Sequence, residues 1–233
     1  MHEEGIRHIF FDLDNTLWDF NTNSKTIIQR MYNAFNLSQE GVAHFELYFN
    51  AYKTQNEYLW NAYREGNKTK EEVRFERFYT SLYQFGIDNK TLAFAMADYY
   101  INNTRQLKVL LPGAVETLQY LRSKYLLHVI TNGFEEVQLF KIKNCGLAKF
   151  FDTITTAENA HALKPDKKIF DTALQSANAK AHESVYIGDS PEADGKGALN
   201  AGMHFIWFNH EQTLNTHGFT RQVGRLRELS SFL

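Results

Sequence analysis

The sequence predicts an α/β protein: a doubly wound parallel sheet with an all-α domain inserted near its start. Three observations carry this reading. Short apolar runs recur along the chain, helical spacing fills the gaps between most of them, and residues 20–108 contain no such run. The first run, Ile6 to Phe11 (IRHIFF), suits a buried strand and ends at Asp12. Leu126 to Ile130 (LLHVI), Ser184 to Ile187 (SVYI) and Met203 to Phe208 (MHFIWF) look alike, and Phe151 to Thr155 is a weaker candidate. Between them lie stretches such as Val115, Leu118 and Leu121, spaced as on one helix face. Alternating strands and helices argue for a parallel sheet covered on both faces.

The stretch 20–108 breaks the alternation and reads as consecutive helices. Ile27, Ile28, Met31, Tyr32 and Phe35 form one apolar stripe. Thr69 followed by Glu72 is a capping-box signature, with Gly86 placed to close that helix. Asp88 is expected to cap the next helix, whose stripe is Leu92, Ala95, Met96 and Tyr99. Such stripes need a partner surface, which excludes a structureless loop. The expected division is therefore a core of residues 1–19 and 109–233 and a helical lid of residues 20–108, with Pro112 and Gly113 marking the return.

Composition narrows the function classes. With 43% hydrophobic and 22% charged residues the chain is ordinary for a soluble globular protein. A formal charge of -2 and the lack of basic runs give no reason to expect a nucleic acid polymer or an anionic membrane as partner. The single cysteine, Cys145, excludes an internal disulfide and a cysteine-rich zinc site. The opening residues lack the basic and apolar regions of a signal peptide, and no apolar run is long enough to span a bilayer. The expectation is a soluble, cytoplasmic protein, monomer or homodimer.

Chemistry concentrates where the apolar runs end. Asp12-Leu13-Asp14-Asn15-Thr16 follows the first, and ligands of open parallel sheets gather at the carboxyl ends of strands. Two carboxylates there repel one another unless a cation offsets them, and a hard divalent ion such as Mg2+ suits oxygen ligands. Taken alone, Asp-x-Asp reads as an Asx turn. The other runs end in matching chemistry, however. LLHVI leads to Thr131-Asn132-Gly133, which offers a hydroxyl and backbone N–H groups to an anion. SVYI leads to Gly188-Asp189-Ser190-Pro191, with Asp194 following; Asp189 could complete a metal site and Asp194 could orient it, the plainer reading of Asp189 being a helix N-cap. Lys164 precedes Pro165, which disfavours helical geometry at the lysine. An ammonium held there could balance the carboxylates and bind a phosphoryl oxygen.

Together these elements resemble the four motifs of the haloacid dehalogenase superfamily: DLDNT at Asp12–Thr16, the threonine of ITNG at Thr131, Lys164 of KP, and GDSPEAD at Gly188–Asp194. The resemblance spans nearly the whole chain and implies a Rossmann-like core with a helical cap. It implies Asp12 as nucleophile on phosphorus, Asp14 as general acid and then base, and Thr131, the Asn132 N–H and Lys164 as holders of the phosphoryl oxygens. It places Mg2+ on Asp12, the backbone carbonyl of Asp14, and Asp189, with Asp194 behind them. Dehalogenases of the superfamily lack the acid two residues after the nucleophile, as do its phosphonatases. Its phosphomutases often carry Asp-x-Asp-Gly-Val. Hydrolysis of a small phosphate monoester matches best. DLDNTLWDF followed by Asn21 and Asn23 further resembles the opening of the capped pyrimidine 5′-nucleotidases. Sugar phosphatase, phosphomutase, 2-haloacid dehalogenase and a phosphate-binding protein without turnover remain the alternative readings.

Overall fold

The structure, a computed structural model, describes residues 5–233; the leading MHEE, read above for targeting features, lies outside them. The chain divides into two compact units, one of residues up to Phe20 with Lys108–Leu233 and one of Asn21–Leu107.

The first unit is built on a six-stranded sheet. Its strands are β1 (His8–Phe11), β2 (Leu126–Thr131), β3 (Thr153–Thr156), β4 (Ser184–Gly188), β5 (His204–Phe208) and β6 (Gln222–Val223). All pairings are parallel, in the order β3-β2-β1-β4-β5-β6. The four strong apolar runs thus became β1, β2, β4 and β5, and the weak one became β3. Only β6 went unread, because two residues leave no periodicity to detect. Phe11 at the end of β1 faces Val129 on one side and Ile187 on the other. This register brings the segments after β1, β2 and β4 to the same edge of the sheet.

The second unit is helical. It holds α2 (Phe45–Arg64), α3 (Lys70–Tyr83), α4 (Lys90–Thr104) and nearly all of α1 (Phe20–Ala34). Thr69 and Glu72 form the expected reciprocal box: Thr69 Oγ1 accepts from the Glu72 N–H at 3.2 Å, and Glu72 Oε2 accepts from the Thr69 N–H at 2.7 Å. The cap of α4 is Asn89, not Asp88. Asn89 Oδ1 accepts from the Leu92 N–H, while Asp88 accepts from the Tyr79 hydroxyl at 2.8 Å. Tyr48 and Tyr52 are buried in this unit's core, where Tyr52 stacks on Phe78 at 5.6 Å. No helix among the described residues is long and apolar enough to cross a membrane.

The sheet unit continues through α5 (Ala114–Arg122), α6 (Glu135–Asn144), α7 (Ala157–Ala160), α8 (Lys167–Ser176) and α9 (Lys196–Asn200). Where the chain leaves and re-enters this unit, its two segments pair. The Asp19 N–H donates to Val109 O and the Leu111 N–H to Leu17 O. Phe10, Ile130, Phe170, Tyr186, Phe205 and Trp207 share one core cluster.

His128, inside β2, is 1% exposed and forms a buried chain with its neighbours: Nε2 lies 3.0 Å from His8 Nδ1, and Nδ1 lies 2.8 Å from Thr153 Oγ1. The facing His8 and His128 nitrogens share one hydrogen only while at least one of the rings is neutral. Burial, then the neighbouring His8, lowers the His128 pKa from 6.5 to about 4. A histidine whose folded-state pKa is depressed stabilises fully above 6.5, and its contribution is lost as pH falls towards 4. We expect the stability advantage of wild type over His128→Gln, measured by urea unfolding, to shrink by up to about 3 kcal/mol across that window. A pH-independent difference would contradict this.

Candidate active site

Asp12 is the first residue after β1, and its N–H donates to Ile187 O at 2.9 Å, extending the β1–β4 pairing by one step. The chain then reverses sharply. Asn15 adopts a left-handed φ of 59°, and the N–H groups of Leu17 and Trp18 both return to Leu13 O. Asn tolerates this region better than most residues, so the DLDNT segment turns at once and leaves Asp12 and Asp14 at the sheet edge.

Lys164 reaches Asp12 from the loop before α8. Its main chain is gripped by Asn132: the Lys164 N–H donates to Asn132 Oδ1 at 2.7 Å, and Asn132 Nδ2 donates to Lys164 O at 3.0 Å. The Asn132 side chain thus spends one amide hydrogen and one oxygen lone pair on holding the lysine's main chain. The Lys164–Pro165 bond is cis. Lys164 Nζ, 3% exposed as a residue, donates to Asp12 Oδ1 (2.6 Å) and Asp194 Oδ1 (2.7 Å) and lies 2.9 Å from the Tyr186 hydroxyl.

Asp189 follows β4, and its carbonyl accepts from Trp207 Nε1 at 2.9 Å. The N-cap expected of it as the plainer reading falls instead to Ser190, whose Oγ accepts from the Ala193 N–H, with Pro191 opening the short π-helical turn Pro191–Gly195. That turn folds Asp194 back. Its Oδ1 accepts from Lys164 and Tyr186 and its Oδ2 from the Ser190 N–H. The bonds of Asp194 thus hold Lys164 in place.

Gly188 makes this return possible, since a Cβ there would lie 2.4 Å from Asp194 Oδ2. Gly188→Ala must displace Asp194 and with it one of the carboxylates on Lys164. We expect a loss of about 2 kcal/mol in stability, read as a lowered melting temperature; an unchanged one would show that Asp194 has room to move.

Electrostatically the site is short of positive charge. Asp12, Asp189 and Asp194 each present an oxygen within 4.8 Å of the others, and the ammonium that touches this group is Lys164. Burial pushes the Asp12 carboxyl up to about 7, Lys164 pulls it down by less, and Asp194 pushes it up again. Burial, Asp194 and Asp12 likewise drive Asp189 well above the carboxylate range. For Lys164, burial works against the ammonium, but Asp12 and Asp194 outweigh it and its pKa is raised. Ionised together, the three carboxylates would exceed the one ammonium by two negative charges, which a divalent cation would neutralise.

Asp14 stands apart from that cluster. Its carboxylate accepts from Lys141 Nζ at 2.7 Å and Gln138 Nε2 at 2.8 Å. Gln138 Nε2 also donates to Thr131 Oγ1 at 2.7 Å. Spacing alone did not single out Gln138 and Lys141. A signal existed: Phe134, Val137, Gln138, Lys141 and Ile142 occupy successive positions of one helical stripe, so two polar residues sit where burial demands a reason.

A family profile described as haloacid dehalogenase-like hydrolase matches residues 9–208, which takes in every one of these groups. The chain belongs to the haloacid dehalogenase-like hydrolase family. Among similar members, pyrimidine 5′-nucleotidase YjjG of Escherichia coli is 32% identical over 97% of this chain and 96% of its own. Pyrimidine 5′-nucleotidase PynA of Streptococcus pneumoniae is 30% identical over 87% and 84%. The crystal structure of the haloacid dehalogenase-type hydrolase called YfnB from Bacillus subtilis, bound to magnesium, matches with a TM-score of 0.88 at 27% identity, covering 98% of both chains. The six-stranded parallel sheet is thus that of the haloacid dehalogenase-like hydrolases.

Proposed function

We propose that this protein is a magnesium-dependent phosphate-monoester hydrolase in which Asp12 becomes transiently phosphorylated. The observation that carries the reading is the buried Asp12–Lys164–Asp194 arrangement, with Asp189 beside it and Asp14 held two residues away on a separate set of partners. The oxygen-only donors and their excess of two negative charges fit a hard divalent cation. Asp12, Asp189 and the main chain at Asp14 would hold it. When bound, the ion supplies charge neutralisation that lets Asp12 remain ionised beside a phosphate.

The chain's own groups then divide the work. Lys164 engages Asp12 Oδ1, so Oδ2 is the oxygen that attacks phosphorus. The bond to the leaving oxygen breaks, and that oxygen takes a proton from Asp14. Thr131, the Asn132 N–H and Lys164 stabilise the phosphoryl oxygens, the largest contribution in reactions of this kind. A water then gives its proton to Asp14 and attacks phosphorus. The bond to Asp12 breaks, and inorganic phosphate leaves. The helical unit Asn21–Leu107 is proposed as the cap that sets specificity by covering the substrate. The likeness to YfnB, whose structure reveals interdomain movement, supports that assignment.

Nucleoside 5′-monophosphates are the proposed substrate class, supported by the names of the two relatives similar over most of this chain. Phosphate release from uridine and thymidine monophosphates, compared with sugar phosphates, tests this. The expected result is a preference for the nucleotides, lost on chelation and restored by magnesium. Equal turnover of sugar phosphates would remove the nucleotide assignment, and turnover insensitive to chelation would remove the metal.

A further inference from the structure

Asp14 and Thr131 lie on different strand ends, yet one face of α6 holds both. Lys141 Nζ donates to Asp14 Oδ1 and Gln138 Nε2 to Asp14 Oδ2. Both residues are buried, Gln138 at 1% exposure and Lys141 at 4%. The Lys141 ammonium also lies 3.8 Å from the centre of the Trp18 ring, a residue fully removed from solvent. Few positions are open to an ammonium so enclosed, and a carboxylate gripped on both oxygens has one rotamer.

Gln138 does more than hold Asp14. A terminal amide nitrogen carries two hydrogens, and here one goes to Asp14 and the other to Thr131 Oγ1. Thr131 Oγ1 accepts a second bond from the Gly133 N–H at 3.2 Å. With both lone pairs filled, the hydroxyl can act only as a donor, and its hydrogen must point away from α6. The fit is close: a Cβ on Gly133 would lie 2.4 Å from the Gln138 amide, so the glycine of TNG leaves room for that side chain.

We infer that Gln138 and Lys141 are positioning residues: Lys141 fixes the proton-transferring carboxylate of Asp14, and Gln138 fixes that carboxylate together with the donor direction of the Thr131 hydroxyl. The inference rests on the hydrolase reading above. The two residues make separable predictions. Lys141 acts through Asp14 alone, so in kcat/KM, which reports the steps up to departure of the alcohol, its removal matters only where the leaving oxygen needs a proton; hydrolysis of the phosphoryl-Asp12, which Asp14 also serves, enters kcat. Gln138 acts also through Thr131, which serves the phosphoryl oxygens whatever the leaving group.

The test uses the magnesium-loaded full chain with two esters: p-nitrophenyl phosphate, whose nitrophenolate departs without a proton, and uridine 5′-monophosphate, whose alkoxide does not. Lys141→Met is expected to lower kcat/KM about 100-fold on the nucleotide and less than about 5-fold on the nitrophenyl ester. Gln138→Glu keeps the side-chain volume but replaces a donor with an acceptor, drawing the Thr131 hydrogen inward. It is expected to lower kcat/KM on both esters at least about 10-fold. Lys143→Met, an exposed site on the same helix, makes the same charge change and is expected to leave both unchanged. If Lys141→Met does not fold, Lys141→Arg keeps the charge but moves it, and is expected to show the same selective loss on the nucleotide. Equal losses on the two esters for the Lys141 variant, or none, would overturn its role. Undiminished activity on the nitrophenyl ester in Gln138→Glu would overturn the role of Gln138. A wild-type protein inactive on every phosphate ester would instead sink the underlying hydrolase reading.

Discussion

Asp12→Asn is expected to abolish phosphate release, by at least about 10⁴-fold, while making the metal-free protein more stable. The first effect follows from chemistry, because an amide oxygen is a poor nucleophile towards phosphorus. The second follows from burial. Asp12 is 6% exposed, faces Asp194 and Asp189, and has its carboxyl pushed up to about 7. A group whose folded-state pKa is raised stabilises fully below its ordinary value of 3.8, and that stability is lost as pH rises through 7. Ionised Asp12 therefore works against folding at neutral pH, by of order 2 kcal/mol or more. Asparagine removes the charge and can still accept from Lys164. Calorimetry in chelator at pH 7.5 should show a higher melting temperature for the variant, with the gap narrower at pH 5 and closed below 3.8. Magnesium should raise the melting temperature of wild type more at pH 7.5 than at pH 5, since only the ionised carboxylates need it. A variant that melts lower than wild type at pH 7.5 would contradict this reading.

Lys164→Met is expected to have the opposite effect on folding and the same effect on turnover. The ammonium touches Asp12, Asp194 and Tyr186, all buried. Removing it leaves two carboxylates uncompensated, which in a buried pair costs about 3–5 kcal/mol. Because the Lys164 pKa is raised above 10.5, its contribution is intact at neutrality and lost only in the alkaline range. In the variant, Asp12 loses the ammonium that pulls its raised pKa down. The deficit should therefore be deepest at neutral pH and shrink as acid protonates Asp12. Turnover should fall at least about 10³-fold, since a phosphoryl-oxygen partner is lost. Urea unfolding at pH 7.5 and 5, with phosphate release at pH 7.5, checks both. A variant as stable as wild type at pH 7.5 would show that Lys164 does not hold the cluster together.

Much of this candidate site is legible in the sequence. A parallel sheet covered on both faces needs strands that are apolar throughout, so LLHVI and SVYI announce themselves, and each ends on a residue that reaches the site. Asp12, Thr131 and Asp189 could be named because β1, β2 and β4 are neighbours in register, and the residues after them share one edge. The capping box at Thr69 was equally plain, since both its bonds span three residues. The neighbouring cap shows the limit: Asp88 and Asn89 are both competent, and the choice turned on the hydroxyl of Tyr79 bonding Asp88.

What spacing cannot carry is the identity of partners far apart in the chain. Asp194 lies in the right motif, but its bonds to Lys164 and Tyr186 depend on how the π-helical turn packs over Gly188. Lys141 and Gln138 reach Asp14 across more than a hundred residues of sequence. Their place in the apolar stripe of α6 marks them for burial, but their partner is set only when α6 is laid against the turn after β1. Hydrophobic periodicity and strand-end chemistry are encoded over a few residues, so they were there to be read. The assignment of each buried charge to its partner is settled only when desolvation forces every ammonium and carboxylate to find the nearest compensating group.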